Sequence, residues 1–232
     1  MATHSLIAME NLIRNMDDVN RLLKIHKKLT GSGPGRRAGV EVLNKSGVVL
    51  IMACWEAFIE DLAKEAYDYL ISKADTYTII PNKVRVLASK SLRQDNDESK
   101  IWELAENGWR KVLHDHKNEL FTKHIGKFNT PKPDNINDLF EKLIGLKDLS
   151  ISWRWERMSV DQSKGKLVLF NEDRGAIAHR AATKEPISID YVRFYRNFVY
   201  RLAVKSANHV NKYLSIKTGD KPWSDYTFGK KK

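Results

Sequence analysis

Residues 47–70 read GVVLIMACWEAFIEDLAKEAYDYL. The first half of this run is apolar almost all round, and the second half turns amphipathic. A helix with no polar face cannot lie on a surface, so other elements must wrap it. Residues 48–51 alone would suit a strand. The pattern carries on unbroken through alanine, tryptophan, glutamate and leucine at helical spacing. The expectation is a long central helix from Val40 to Ser72, with the rest of the chain packed around it.

The remaining periodicities are helical too. Residues 5–29 repeat apolar side chains at Leu6, Met9, Leu12, Ile13, Met16, Val19, Leu22 and Leu23. Glycine and proline in GSGPGRRAG (31–39) end that helix. TYTIIPNK (76–83) is a break, with Pro81 marking the next start. Helices are predicted over 83–93, 99–125, 135–145, 173–183 and 188–214, with loops at RQDNDES and at KFNTPKPDNIN (127–137). The stretch SWRWERMSVDQSKGKLVLF is irregular, and LVLF (167–170) reads as a helical lead-in, with a short strand as the alternative. The last helix is amphipathic through Val192, Tyr195, Val199, Leu202 and Val210. Residues 216–232 show no periodicity and read as a basic, flexible tail behind a helical domain over 1–215. The fold class is all-α.

Charge and cysteine usage bound the function. Forty lysines and arginines against 29 acids give +11. Five lysines and two aspartates lie in 216–232, which leaves +8 on the body. Such a body attracts phosphate polymers through counterion release, without sequence preference. One cysteine, Cys54, excludes an internal disulfide and fits a reducing, cytoplasmic setting. No stretch of uncharged apolar residues is long enough for a membrane span, and the N-terminal acids do not fit a secretory signal.

Most motif candidates carry little. GSGPGRRAG lacks the Lys-Ser or Lys-Thr of a phosphate loop. Gly33, Gly35 and Ala38 fit a loose dinucleotide pattern, which requires a preceding strand where this chain has a helix. His114, His116 and His124 cluster in HDHKNELFTKH. On a helix the first two lie about 200° apart and cannot share an ion. No metal site is expected. Cys54, inside an apolar run, reads as a buried small side chain. Trp153 and Trp155 flank Arg154, a pattern that either stacks unpaired bases or closes one end of a bundle.

The segment NEDRGAIAHRAA (171–182) is different. Arg174 and His179 sit among glycine and alanine, which leave room for a second helix or a ligand beside both. The same spacing recurs at Arg21 and His26, and a longer one at Arg110 and His116, so spacing alone does not choose. With Asn171 or Asp173 as helix cap, Arg174 falls in the first turn, where the helix dipole disfavours a cation. An arginine there needs an anionic partner: Glu172, Asp173, an acid of another helix, or a phosphate.

These residues resemble the HEPN superfamily. Its signature is an Arg-x4–6-His motif on a late helix followed by one more long helix. Arg174, His179 and the 188–214 helix stand in that order. VVLIMACWEAFIEDLAKEA is similar to the second-helix signature of the RiboL-PSP branch, with Glu56, Phe58, Asp61 and Leu62 in its places. The resemblance covers residues 40–72 and 165–214, and many members carry a polar residue where this chain has Gly175. It implies a helical bundle with extra helices inserted before the motif helix, a homodimer, and metal-independent RNA cleavage without a cofactor. Arg174 and His179 would be catalytic, Glu56 would orient Arg174, Asp173 would support it, and Arg180, Arg154 and Trp155 would contact RNA. A partner antitoxin or other defence-system protein fits the toxin members. The alternative is an inactive module that binds RNA, a nucleotide or a protein.

Overall fold

The computed structural model describes residues 5–31, 39–125, 131–181, 183 and 185–229. Among them the chain is helical and has no strand, and Trp155 and Met158 form one isolated antiparallel bridge. The glycine-rich Gly33, Gly35 and Ala38, and the side chain of His124, lie outside the described residues.

α1 (Ile7–Thr30) packs along α2 (Glu41–Lys73), which also touches α6 (Pro133–Ile144), α7 (Val160–Arg180) and α8 (Ile189–Thr218). α2 is the wrapped central helix that its composition requires. Trp55, Phe58, Ile59, Leu62, Ala66, Tyr67 and Leu70 are fully or almost fully buried. Trp55 stacks on Phe58 at 5.7 Å and meets the edge of Trp153 at 5.9 Å. Gly47 lets α8 approach, since a Cβ there would lie 2.7 Å from Val192 Cγ1. By length and composition α2 could cross a membrane, but half of its most apolar window is buried inside the bundle.

The middle of the chain builds a side layer. α3 (Asn82–Ala88) and α4 (Lys90–Arg93) are split at Ser89, a 3₁₀ turn covers Glu98–Leu104, and α5 (Gly108–Ile125) packs on α3 and that turn. Tyr67 ties α5 to α2 by donating its hydroxyl to Leu113 O at 2.5 Å. The helix expected over 99–125 is interrupted because Glu106 takes a positive φ of 52°.

Two further expectations fail. The motif helix is not a short one over 173–183: α7 starts at Val160 and is one continuous helix. Ser159 starts it with a capping box, its side chain accepting from Gln162 N while its own N–H donates to Gln162 Oε1. Neither Asn171 nor Asp173 is a cap. Nor do residues 216–229 trail free. α8 runs on to Thr218, and Trp223 is buried with its indole N–H donating to Ala207 O. Asn211 donates to Trp223 O, Asn208 and Tyr226 exchange two bonds, and Tyr226 Oη accepts from Leu6 N. Apolar burial and paired backbone groups hold this segment against α8 and the start of α1.

Candidate functional site

α7 runs antiparallel to α2, and two contacts fix their register. Arg174 Nη2 lies 3.5 Å from Glu56 Oε1. Toward the end of α7, Lys45 donates to Ala181 O at 2.8 Å while pairing with Glu41 at 2.9 Å. Lys45 thus covers a carbonyl that the helix leaves unpaired, at the end where the dipole favours a cation. Arg174 and Glu56 keep only 27% and 19% of their side chains exposed. Burial raises the Glu56 carboxyl above its ordinary value, the Arg174 charge works against that, and Glu60 adds to it.

Because α7 begins fourteen residues earlier than the motif, Arg174 is not in a first turn, and the dipole argument for an anionic partner falls. The partner exists for a different reason: a half-buried guanidinium needs a counter-charge, and Glu56 supplies it. Asp173 does not pair with Arg174. It accepts a hydrogen bond from Tyr191 Oη, docking α7 onto α8, and burial together with this bond pushes the Tyr191 phenol upward. Asn171 is buried and donates to Leu167 O.

His179 and Arg180 occupy the last turn of α7, both exposed, together with Ala178. Five residues along a helix rotate by about 140° and rise about 7.5 Å, so Arg174 and His179 leave α7 in different directions. Arg174 turns toward α2, while His179 faces solvent. Nothing lies within 4 Å of a Cβ built on Gly175, so the small-residue face between them is open. On α2 the positions Val42, Val49 and Ala53 share a helical stripe with Glu56, and all three are exposed.

A family model described as RiboL-PSP-HEPN matches residues 10–212. The chain belongs to this family. No curated protein and no solved structure matches it. The match is wider than the residues alone indicate, since it runs through α1 and through the whole middle of the chain. HEPN domains are all-α, generally related to ribonucleases, and commonly bind RNA and dimerise.

In this HEPN domain Arg154 and Trp155 lie before the start of α7, whereas His179 is at its end. The helix between them spans about 30 Å, so one chain does not bring them into one site. Trp153 is fully buried and donates to Ser206 Oγ at 2.9 Å, closing the bundle, while Trp155 is half-buried. His114 is exposed and His116 buried, its imidazole held below the ordinary value by burial. Among the described residues no group of three or more metal-ligating side chains converges. Cys54 is buried and its thiol is pushed up to about 11, mainly by burial. Lys45 and Tyr191 are positioning residues that the spacing argument missed. Tyr191 stands at the start of the last helix, in register with Asp173, a pairing visible only once the two helices are known to be antiparallel.

Proposed function

We propose that this HEPN domain is a metal-independent endoribonuclease whose working site is formed by two copies of the chain. The observation that carries it is the exposure of His179 at the end of α7, beside an open small-residue face and an arginine held by Glu56. RNA cleavage without metal needs a base for the 2′-hydroxyl proton, a cation at the phosphorus, and an acid for the departing 5′-oxygen. Histidine titrates near neutrality and serves as base or acid. Arginine stays cationic and offers a planar fork to phosphate. The bond from the 2′-oxygen to phosphorus forms, the bond to the 5′-oxygen breaks, and the products are a 2′,3′-cyclic phosphate and a 5′-hydroxyl.

One chain presents a single His179, and Arg174 points elsewhere. A two-fold pairing of α2 and α7 faces supplies a second histidine, so that one accepts and the other donates a proton. Val42, Val49, Leu50 and Leu169, exposed at 63%, 36%, 37% and 57%, give these two helices the apolar surface that such a pairing covers. Purified protein is expected to cut single-stranded RNA in EDTA, and His179→Ala to stop the cutting with the circular dichroism unchanged. Cutting that survives His179→Ala, or that requires added metal, overturns the proposal.

A second reading rests on the Arg174–Glu56 pair. An arginine already matched by a buried carboxylate can act as a structural strut, and the domain is then a binding module. Binding of RNA without cleavage by the wild-type chain distinguishes it. A partner antitoxin and a role in defence would follow from the nuclease reading alone.

A further inference from the structure

The face joining α7 and α8 at the start of α7 holds a second candidate surface. Arg154, Trp155, Arg157, Ser159, Gln162 and Lys205 line an open cleft of about 780 Å³. Lys205 belongs to α8, where Phe194, Phe198, Arg201 and Lys205 recur at helical spacing on one face, with Phe194 exposed and Phe198 buried beneath the rings around it. The rings and cations alternate. Lys166 Nζ lies 5.1 Å above the Phe194 ring, and Phe194 stacks on Phe198 at 5.9 Å. Trp155 meets Phe198 at 5.9 Å, and the Arg201 guanidinium sits between Trp155 and Phe228, at 5.6 Å and 4.1 Å.

Most of the charges here are uncancelled. Among the described residues Arg154, Lys166, Arg201 and Lys205 have no carboxylate partner, whereas Lys45, Lys73, Lys83 and Lys117 each hold one. The acids nearest in sequence to the cleft are Glu156, 3.6 Å from Arg157 and almost fully exposed, and Asp161 in the first turn of α7. Cations without acids keep their attraction for a polyanion. Aromatic faces beside them discriminate against a plain acidic peptide, because stacking rewards planar rings. The cleft is open rather than enclosed, so it suits a strand passing through and not a small molecule held inside.

We propose that the Trp155–Arg201–Lys205 cleft is a docking site for single-stranded RNA, separate from the cleaving end of α7. Together with the reading of His179 as the scissile end, on which its biological sense rests, it makes α7 a spacer of about 30 Å between a holding point and a cutting point. Oligonucleotides too short to reach both points are then poor substrates even when they contain a cleavable linkage.

The test is fluorescence anisotropy on the full chain in EDTA, with a labelled 2′-O-methyl oligouridylate of about sixteen residues, which no 2′-hydroxyl mechanism can cut. Trp155→Ala and the double variant Arg201→Ala/Lys205→Ala are each expected to weaken binding about tenfold or more. Trp155→Phe retains a ring and is expected to restore most of the affinity, which separates stacking from a folding defect. The double variant is also expected to flatten the slope of log K against log salt by about 0.7 for each cation removed. Lys123→Ala, a surface cation elsewhere, leaves both quantities unchanged. Wild-type affinity in both cleft variants, or an equal loss with Lys123→Ala, overturns the proposal. Intact docking by a chain that never cuts unmodified RNA would instead sink the nuclease reading and leave the docking site standing.

Discussion

An arginine and a histidine five positions apart occur in α1 as Arg21 and His26 and in α7 as Arg174 and His179, and the two pairs are buried the opposite way round. Arg21 is 75% exposed and pairs loosely with Asp18 of its own helix, while His26 is 3% exposed and contacts Thr30 Oγ1. Arg174 is drawn against Glu56 of another helix, while His179 stands in solvent. A general acid or base must exchange its proton with substrate, so only the second arrangement can do chemistry. A phosphate-binding arginine must be held in place, and only the second is held across helices. Identical spacing therefore carries two functions: a core histidine in α1 and a candidate site in α7.

The sharpest way to break this contrast is to remove each histidine in turn. His179→Ala should lower kcat/KM for RNA by about 10²–10⁴ with little change in melting temperature. His26→Ala should do the reverse, costing about 1–3 kcal/mol of stability with the activity per folded molecule retained. Equal loss of activity in both variants would mean that the two pairs do not differ in function.

Glu56→Gln tests whether Arg174 is held for a purpose. A roughly tenfold fall in kcat/KM, equivalent to about 1.4 kcal/mol, is expected from a mobile arginine. The pH dependence has a definite sign. The folded Glu56 carboxyl lies above its ordinary value of 4.5 because of burial. Its ionisation therefore costs stability, a cost that sets in as pH rises from the unfolded value through the raised folded one. Urea midpoints measured across that window should decline more steeply for wild type than for Glu56→Gln. Parallel curves would mean that Glu56 is not the titrating group.

Smaller effects refine the picture. Tyr191→Phe removes the donor that docks Asp173 and should cost about 1–3 kcal/mol, seen as a lower melting temperature, while cleavage per folded molecule stays within twofold of wild type, roughly the scatter of context-dependent effects. Gly175→Ala should stabilise the isolated fold by about 0.5–1 kcal/mol, since its Cβ meets only open space and glycine disfavours helix. A second copy packing on this face would turn the same methyl into an obstacle, lowering dimer affinity as the melting temperature rises. A higher melting temperature with unchanged self-association would show that no helix approaches closely at Gly175.

Part of this contrast was legible before any coordinates. Leu12, Met16, Val19 and Leu23 fall on one helical stripe of α1 that the periodicity marks, and all are buried; the structure adds that His26 continues this stripe into the core. The stripe Gly165, Leu169, Ala176 and His179 of α7 has no such run of large side chains, and it stays accessible. What misled was the start of α7. Gly165 and the polar residues around it blur the periodicity, although Ser159 and Gln162 carry the capping signature three residues apart. A helix starting at 173 would put Arg174 in its first turn, whereas in α7 it stands in the second half, where the dipole no longer disfavours a cation. The anchored C-terminal segment was invisible for another reason. Trp223 and Tyr226 are held by Asn208 and Asn211 through local side-chain bonds that leave no periodic trace.

By itself the sequence determined the all-α class and the central position of α2, because apolar periodicity and residue size are local properties. Only the tertiary structure decided that Glu56 meets Arg174, that Asp173 serves Tyr191 instead, and that Trp155 lies a helix length from His179. Those facts depend on the register and direction in which helices pack, and that register is set by the whole buried interface rather than by any one segment of it.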